Sequence, residues 1–166
     1  MTYALPAHLA SLVDAPIRME VLIGPPGCGK STWCTQNRPG DAIHNLDTYR
    51  AWLTGSADDQ SMNREAVDWQ ERDMHARLRE GQLVVVDATS TVPRFRAADL
   101  DAAARYGYRA RAVVFRTPLR TCLERNGARE RVVPEHVIER KWAEVAALTA
   151  VDLYAEGFAD VVEVAA

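Results

Sequence analysis

The sequence is poor in lysine, poor in cysteine and free of long apolar runs. Lysine occurs only twice among 166 residues. No apolar stretch approaches the roughly 20 residues that a membrane-spanning helix needs. The first twenty residues lack a basic start followed by an apolar run, so we expect no signal peptide. The three cysteines (Cys28, Cys34 and Cys122) have no metal-ligand spacing, which favours a reduced, cytoplasmic protein.

The charge is unevenly distributed along the chain. The net charge of -3 speaks against a general nucleic-acid binder. However, residues 94–141 contain 12 of the 20 basic residues and only six of the 23 acidic ones. Two interpretations remain open for this segment: a solvated helix face, or a basic patch that binds phosphates.

Apolar runs and helical periodicities alternate along the chain. This alternation predicts an α/β domain over residues 1–166, with a parallel sheet covered by helices on both faces. We expect strands at 19–23, 42–46, 83–87, 109–115 and 159–164. We expect one helix to begin near Lys30 and further helices to cover 47–54, 61–81, 94–106, 118–126 and 134–148. Ser61 is the expected cap of the helix at 61–81, and Gly81 is its expected end.

A glycine-rich turn follows the first predicted strand. Gly24, Gly29, Lys30 and Ser31 match the pattern G-x-x-x-x-G-K-[ST], in which backbone N–H groups cradle phosphates. In this pattern the lysine reaches the β- and γ-phosphates and the serine hydroxyl ligates Mg²⁺. Cys28 lies inside the turn at a helix N-terminus, which favours its thiolate form. The sequence therefore predicts a phosphate-binding loop over residues 24–31, with ATP and Mg²⁺ as its ligands.

Acidic and basic residues follow other predicted elements. Asp87 ends the strand "LVVVD" and is the expected second partner of Mg²⁺; the alternative is an aspartate that caps a helix or a turn. Asp47 could accept the proton of an attacking hydroxyl, or it could only cap the helix that follows. Arg50, one helical turn further on, could hold an anionic acceptor.

The segment 123–134 is rich in arginine and lies between two predicted helices. Arg125, Arg129 and Arg131 surround Gly127, a pattern that favours an arginine-rich lid stabilising charge on the transferring phosphoryl group. The alternative is a basic turn that faces solvent.

Five motifs stand in one order along residues 19–145: "GPPGCGKSTW", "LDTYR", "DDQS", "VVVDATS" and "LERNGARERVVPEHVI". Together they resemble the 5′-hydroxyl polynucleotide kinases, most closely the kinase module of bacterial polynucleotide kinase-phosphatases. The resemblance implies that Asp47 is the general base, that Arg50 grips the acceptor phosphate, and that Gln60 and Thr89 lie on the acceptor side. It also implies that the donor is bound by Arg125, Arg129 and the loop residues Gly24, Pro25, Pro26, Gly27, Cys28, Gly29, Lys30, Ser31 and Thr32.

The function expected from this resemblance is transfer of the γ-phosphate of ATP, or of another nucleotide such as GTP, to the 5′-OH of DNA or RNA during end repair. Lys30, Asp47 and Arg129 are the expected catalytic residues, and Ser31 and Asp87 the expected metal ligands. One departure concerns the acceptor, because Asn45 and Leu46 precede Asp47 where the family often has a second acid or serines. The alternatives are a P-loop kinase for a sugar, nucleoside or antibiotic, and a non-catalytic nucleotide-binding module.

Overall fold

The computed structural model describes residues 14–129 and 131–165. Within these ranges five strands form one parallel sheet in the spatial order β2-β3-β1-β4-β5. The strands are β1 (Ile17–Ile23), β2 (Ile43–His44), β3 (Val84–Val86), β4 (Arg109–Phe115) and β5 (Asp160–Val164). The predicted α/β class and parallel sheet are confirmed.

Helices connect successive strands and cover both faces of the sheet, as parallel pairing requires. They are α1 (Lys30–Asn37), α2 (Leu46–Thr54), α3 (Asn63–Arg79), α4 (Pro93–Arg105), α5 (Leu119–Gly127), α6 (Glu135–Ala147) and α7 (Ala150–Glu156), with a 3₁₀ turn at Gly40–Ala42. The side chains of β1 alternate between two buried clusters: Val21 and Ile23 join one, and Leu22 joins the other. The sheet is therefore buried on both sides.

The carboxyl ends of the three neighbouring strands β2, β3 and β1 meet at one edge of the sheet. His44 lies opposite Val86, and Val86 lies opposite Val21. The residues that follow these strands, Asn45, Asp87 and Gly24, consequently emerge side by side. Ligands of open parallel sheets bind at such an edge.

Two sequence predictions about helices were wrong. Ser61 does not cap α3, because Met62 holds the N-cap position and the Ser61 N–H instead binds the Asp59 carboxylate at 2.8 Å. Helix α7 was not predicted at all, although Thr149 and Asp152 form a reciprocal capping box at its start. Gly81 does follow α3 with a left-handed φ of 72°, as expected.

No helix in the described ranges combines the length and apolar character that a membrane crossing requires. The single domain over residues 1–166 and the cytoplasmic location both stay predictions.

Candidate active site

A cavity of about 810 Å³ opens at the carboxyl edge of the sheet. It collects side chains from the phosphate loop, from α2 and the turn after it, from the segment after β3, and from the arginine-rich segment. The predicted site residues that line it are Pro26, Gly27, Gly29, Lys30, Ser31, Thr32, Asp47, Arg50, Gln60, Asp87, Thr89, Arg125, Arg129 and Arg131. Gly24, Pro25 and Cys28 belong to the same loop but do not line the cavity.

Two glycines of the phosphate loop take conformations that a side chain would not tolerate. Gly27 has a φ of 80°, and a Cβ at this position would lie 2.4 Å from the backbone oxygen of Cys122 in α5. Gly29 has a φ of 101° and caps α1, so the N-terminus of that helix faces the cavity. The loop is therefore shaped by backbone geometry and by the close approach of α5.

The cationic and hydroxyl groups of the loop are already held by hydrogen bonds. Lys30 Nζ donates to the carbonyl oxygens of Gly24 at 2.8 Å and Pro25 at 3.0 Å. Ser31 Oγ donates to Asp87 Oδ2 at 2.8 Å. Both side chains thus point along the loop toward the place where phosphates and a cation would bind.

Cys28 differs from its prediction. Its side chain is fully buried and packs with Leu22, Phe115 and Cys122. Burial raises the pKa of the Cys28 thiol above its ordinary value, more than the neighbouring Lys30 lowers it. The predicted thiolate is therefore wrong, because desolvation outweighs the effect of the helix N-terminus.

Asn45 is a site residue that sequence reasoning missed. Its amide nitrogen donates to Asp87 Oδ2 at 2.9 Å, and its Oδ1 accepts from the backbone N–H of Asp47 at 2.9 Å. One side chain thus connects the expected metal partner to the first turn of α2. The signal available in the sequence was an asparagine just before a predicted helix, because asparagine is a preferred N-cap residue.

The Asp47 and Arg50 side chains meet on α2 as an ion pair. Arg50 Nη1 donates to Asp47 Oδ1, and Arg50 Nε and Nη2 donate to Asn63 Oδ1 at 2.9 and 2.7 Å. The Arg50 side chain is 13% exposed and that of Asp47 is 53% exposed. Asn63 therefore orients the guanidinium from α3, while the carboxylate remains accessible from the cavity.

The arginine-rich segment lies across the cavity from α2. Arg125 Nη1 lies over the phosphate loop, 3.4 Å from the point that a Cβ at Gly29 would occupy. Asn126 is 2% exposed and braces the segment, since its amide donates to the Val133 carbonyl at 2.9 Å and accepts from the Val133 N–H at 3.0 Å. Arg131 donates to Asp58 at 2.9 Å.

A family comparison bears on this arrangement. The model of the AAA domain family matches residues 19–149, which include every element that lines the cavity. The chain belongs to the AAA domain family.

Solved structures similar to this AAA domain indicate the same P-loop kinase-like fold. The complex of AvrRxo1-ORF1 and AvrRxo1-ORF2 with ATP is 18% identical at a TM-score of 0.62, and the match covers 89% of this chain and 53% of that one. A candidate kinase from Chloroflexus aurantiacus is 14% identical at a TM-score of 0.56, covering 92% and 89%. This chain spans about half the length of the chain it matches in the first structure. A search of curated proteins finds no match.

Several of the twelve basic residues of this AAA domain's segment 94–141 are neutralised by acids. Arg96 pairs with Glu156, Arg111 with Glu20 and Asp160, Arg116 with Glu163, Arg120 with Glu124, Arg131 with Asp58, and Lys141 with Glu144. Arg125 and Arg129 line the cavity, and neither pairs with an acid among the described residues. Arg125 and Arg129 therefore present positive charge to the cavity.

Proposed function

We propose that this AAA domain is a phosphotransferase that moves the γ-phosphate of ATP to the 5′-OH of DNA or RNA. The observation that carries the proposal is the convergence of a phosphate loop, the Asp47–Arg50 pair and two cavity-facing arginines on one cavity. The similarity in fold to a complex solved with ATP supports the choice of donor.

On the donor side, Lys30 would exchange its bonds to the loop carbonyls for bonds to phosphate oxygens, while the loop N–H groups bind the same anion. Ser31 and Asp87 offer a hydroxyl and a carboxylate within 2.8 Å of each other, hard oxygen donors that suit Mg²⁺. Among the described residues no group of three acidic, histidine or cysteine side chains is placed to hold a metal ion. When bound, Mg²⁺ would neutralise charge on the phosphates.

On the acceptor side, Asp47 accepts the proton of the attacking hydroxyl. Its Oδ1 is bound by Arg50, and Oδ2 has no hydrogen bond to a described residue, so that oxygen is available. A bond forms between the 5′ oxygen and the γ-phosphorus as the bond from that phosphorus to the β–γ bridging oxygen breaks, and its electron pair leaves with ADP. Arg125 and Arg129 stabilise the charge that spreads over the transferring group.

The choice of a nucleic-acid acceptor rests on the motifs shared with the polynucleotide kinases, because their residues line one cavity. Asp47 and Arg50 of "LDTYR", Gln60 of "DDQS" and Thr89 of "VVVDATS" all line the cavity. The Arg50 guanidinium, held by Asn63, is suited to the phosphate that follows the terminal nucleoside. The proposal includes a role in the repair of nucleic-acid ends.

The test offers one set of acceptors to the protein with labelled ATP: a 5′-OH oligonucleotide, a nucleoside 3′-monophosphate, free nucleosides and simple sugars. We expect the first two to be phosphorylated and the others to be poor acceptors. Faster transfer to a free nucleoside or sugar would instead establish a small-molecule kinase.

The residue roles are tested with Asp47→Ala and the control Asp59→Ala, an exposed aspartate outside the cavity. General-base catalysis contributes about 10² to 10⁴ in rate. Asp47→Ala should therefore lose transfer by that factor in single-turnover experiments while binding Mg-ATP like the parent. Asp59→Ala should retain transfer.

A further inference from the structure

A second cavity of about 710 Å³ lies beside the first, between α3, α4 and the segment after β3. Leu46, Ala88 and Thr89 line both cavities. Because Leu46 immediately precedes Asp47, a molecule whose hydroxyl reaches Asp47 could extend directly into the second cavity.

The walls of this second cavity are mostly apolar. Val67 and Met74 contribute from α3, Val86 from the sheet and Val92 from the segment before α4. Phe95, in the first turn of α4, also lines the cavity but is 53% exposed. An apolar cavity with an accessible aromatic ring at its rim is suited to a flat ring.

Two further polar side chains line this cavity. Gln70 reaches the cavity from α3, and Asp99 reaches it from α4 one turn beyond Phe95. Neither makes a hydrogen bond or ion pair with another described residue. An amide and a carboxyl group are the side chains that pair with the amino groups and ring nitrogens of nucleobases.

We propose that this cavity binds the nucleobase of the acceptor's terminal nucleoside, with the base against Phe95 and its polar edge toward Gln70 and Asp99. The inference rests on the proposed function and deepens it by naming what holds the acceptor besides Arg50. Burial raises the pKa of the Asp99 carboxyl to about 7, so near neutral pH this group can donate as well as accept a hydrogen bond.

Two acceptors separate base recognition from the reaction itself: a 5′-OH oligonucleotide with a terminal base, and the same oligonucleotide with an abasic terminal residue. They share the hydroxyl, the sugar and the adjacent phosphate. Since stacking of a base on an aromatic side chain is worth about tenfold or more in affinity, the parent should prefer the first acceptor in kcat/KM by at least about tenfold. Equal kcat/KM for the two acceptors would overturn the inference.

A matched pair of variants tests whether the terminal base lies in this cavity. Ala98 is exposed and lines the cavity, whereas Ala97 is exposed and does not. Ala98→Trp should abolish the preference for the terminal base without changing the melting temperature, ATP affinity or the rate with the abasic acceptor. Ala97→Trp should preserve the preference. A preference that survives Ala98→Trp would overturn the inference.

A binding measurement tests the base cavity without depending on phosphoryl transfer. A nucleoside 3′-monophosphate is titrated by calorimetry into the parent, Ala98→Trp and Ala97→Trp proteins. Binding that only Ala98→Trp weakens, without phosphorylation of any oligonucleotide, would uphold the base cavity and reject the proposed kinase activity. Absence of binding to the parent at millimolar concentration would reject the base cavity.

Discussion

Asn45 and Asp87 are 42 residues apart in the sequence, and the side-chain amide of Asn45 donates a hydrogen bond of 2.9 Å to the Asp87 carboxylate. Ser31 donates to the same carboxylate oxygen. Asp87 thus connects the phosphate loop to the helix that carries Asp47, so one carboxylate joins the proposed donor and acceptor sides. This arrangement predicts that a change at Asn45 affects both sides.

The first prediction separates this connection from simple helix capping. Asn45→Asp retains an oxygen that can cap Asp47 N–H, but it places a carboxylate beside Asp87 where an amide now donates. We expect phosphoryl transfer and nucleotide binding to change while α2 stays folded. Asn45→Ala should additionally lose about 1 kcal/mol of stability. If Asn45→Asp retained parental activity, Asn45 would be only a cap.

The second prediction concerns the arginines above the phosphate loop. An arginine that stabilises the transferring phosphoryl group is worth about 10³ to 10⁵ in rate. Arg129→Ala should therefore reduce single-turnover transfer by orders of magnitude. Arg120→Ala is the control, because Arg120 is 89% exposed, pairs with Glu124 within α5 and lies outside the cavity. Equal, mild losses in both variants would make the segment an ordinary basic turn.

The third prediction concerns the close approach of α5 to the phosphate loop. Gly27 and Gly107 have nearly equal φ values, 80° and 78°, but a Cβ at Gly107 would meet nothing within 4 Å. Gly107→Ala should therefore lose only the conformational cost of about 1–2 kcal/mol. Gly27→Ala should lose more and should also lose nucleotide binding, because its Cβ collides with Cys122 backbone. Urea unfolding and nucleotide titration measure the two effects.

The fourth prediction follows from the raised pKa of Asp99, about 7 in the folded protein against an ordinary 3.8. The folded state holds this proton between those pH values and the unfolded state does not, so the contribution to stability is full at low pH and is lost as pH rises toward 7. The charged and titratable groups that share its cavity are Glu71, His75, Asp101, Arg105 and Lys141.

Asp99→Asn should remove this dependence. Relative to the parent, the variant should gain stability at pH 8 and little at pH 4, as measured by the urea midpoint. Asp59→Asn should behave oppositely, because hydrogen bonds from Ser61 lower the pKa of Asp59, and the stability this provides is lost only in acid. A parallel shift of the Asp99→Asn midpoint at every pH would contradict the assigned pKa.

Local signals in the sequence predicted most of the fold. The strand predicted at 109–115 is β4 as observed, and the pattern G-x-x-x-x-G-K-[ST] located the loop before α1. Helix α7 was missed because its seven residues are too few for a periodicity to stand out. Its capping box and the glycine after it, Gly157 with a φ of 115°, were the readable signals.

What could not be predicted depends on distant partners. The excess of arginine at 94–141 left a basic patch as one of two interpretations, but Arg96 and Arg111 are matched by acids 60 and 91 residues away. The same limit hid the role of Asn45, whose partner Asp87 lies on another strand end. Pairings of this kind arise only when the sheet assembles, because its spatial order differs from the sequence order.

The buried guanidinium of Arg96 links Glu156, near the end of the chain, to the segment that follows β3. It donates to the Ser90 carbonyl at 2.9 Å, where the backbone takes a left-handed φ of 42°, and it is neutralised by Glu156 in α7. The family match ends at residue 149, before Glu156 and β5. A fragment trimmed to the matched range would leave an unneutralised cation under the segment after β3. We therefore expect the minimal stable unit to extend beyond the family boundary, at least through Glu156.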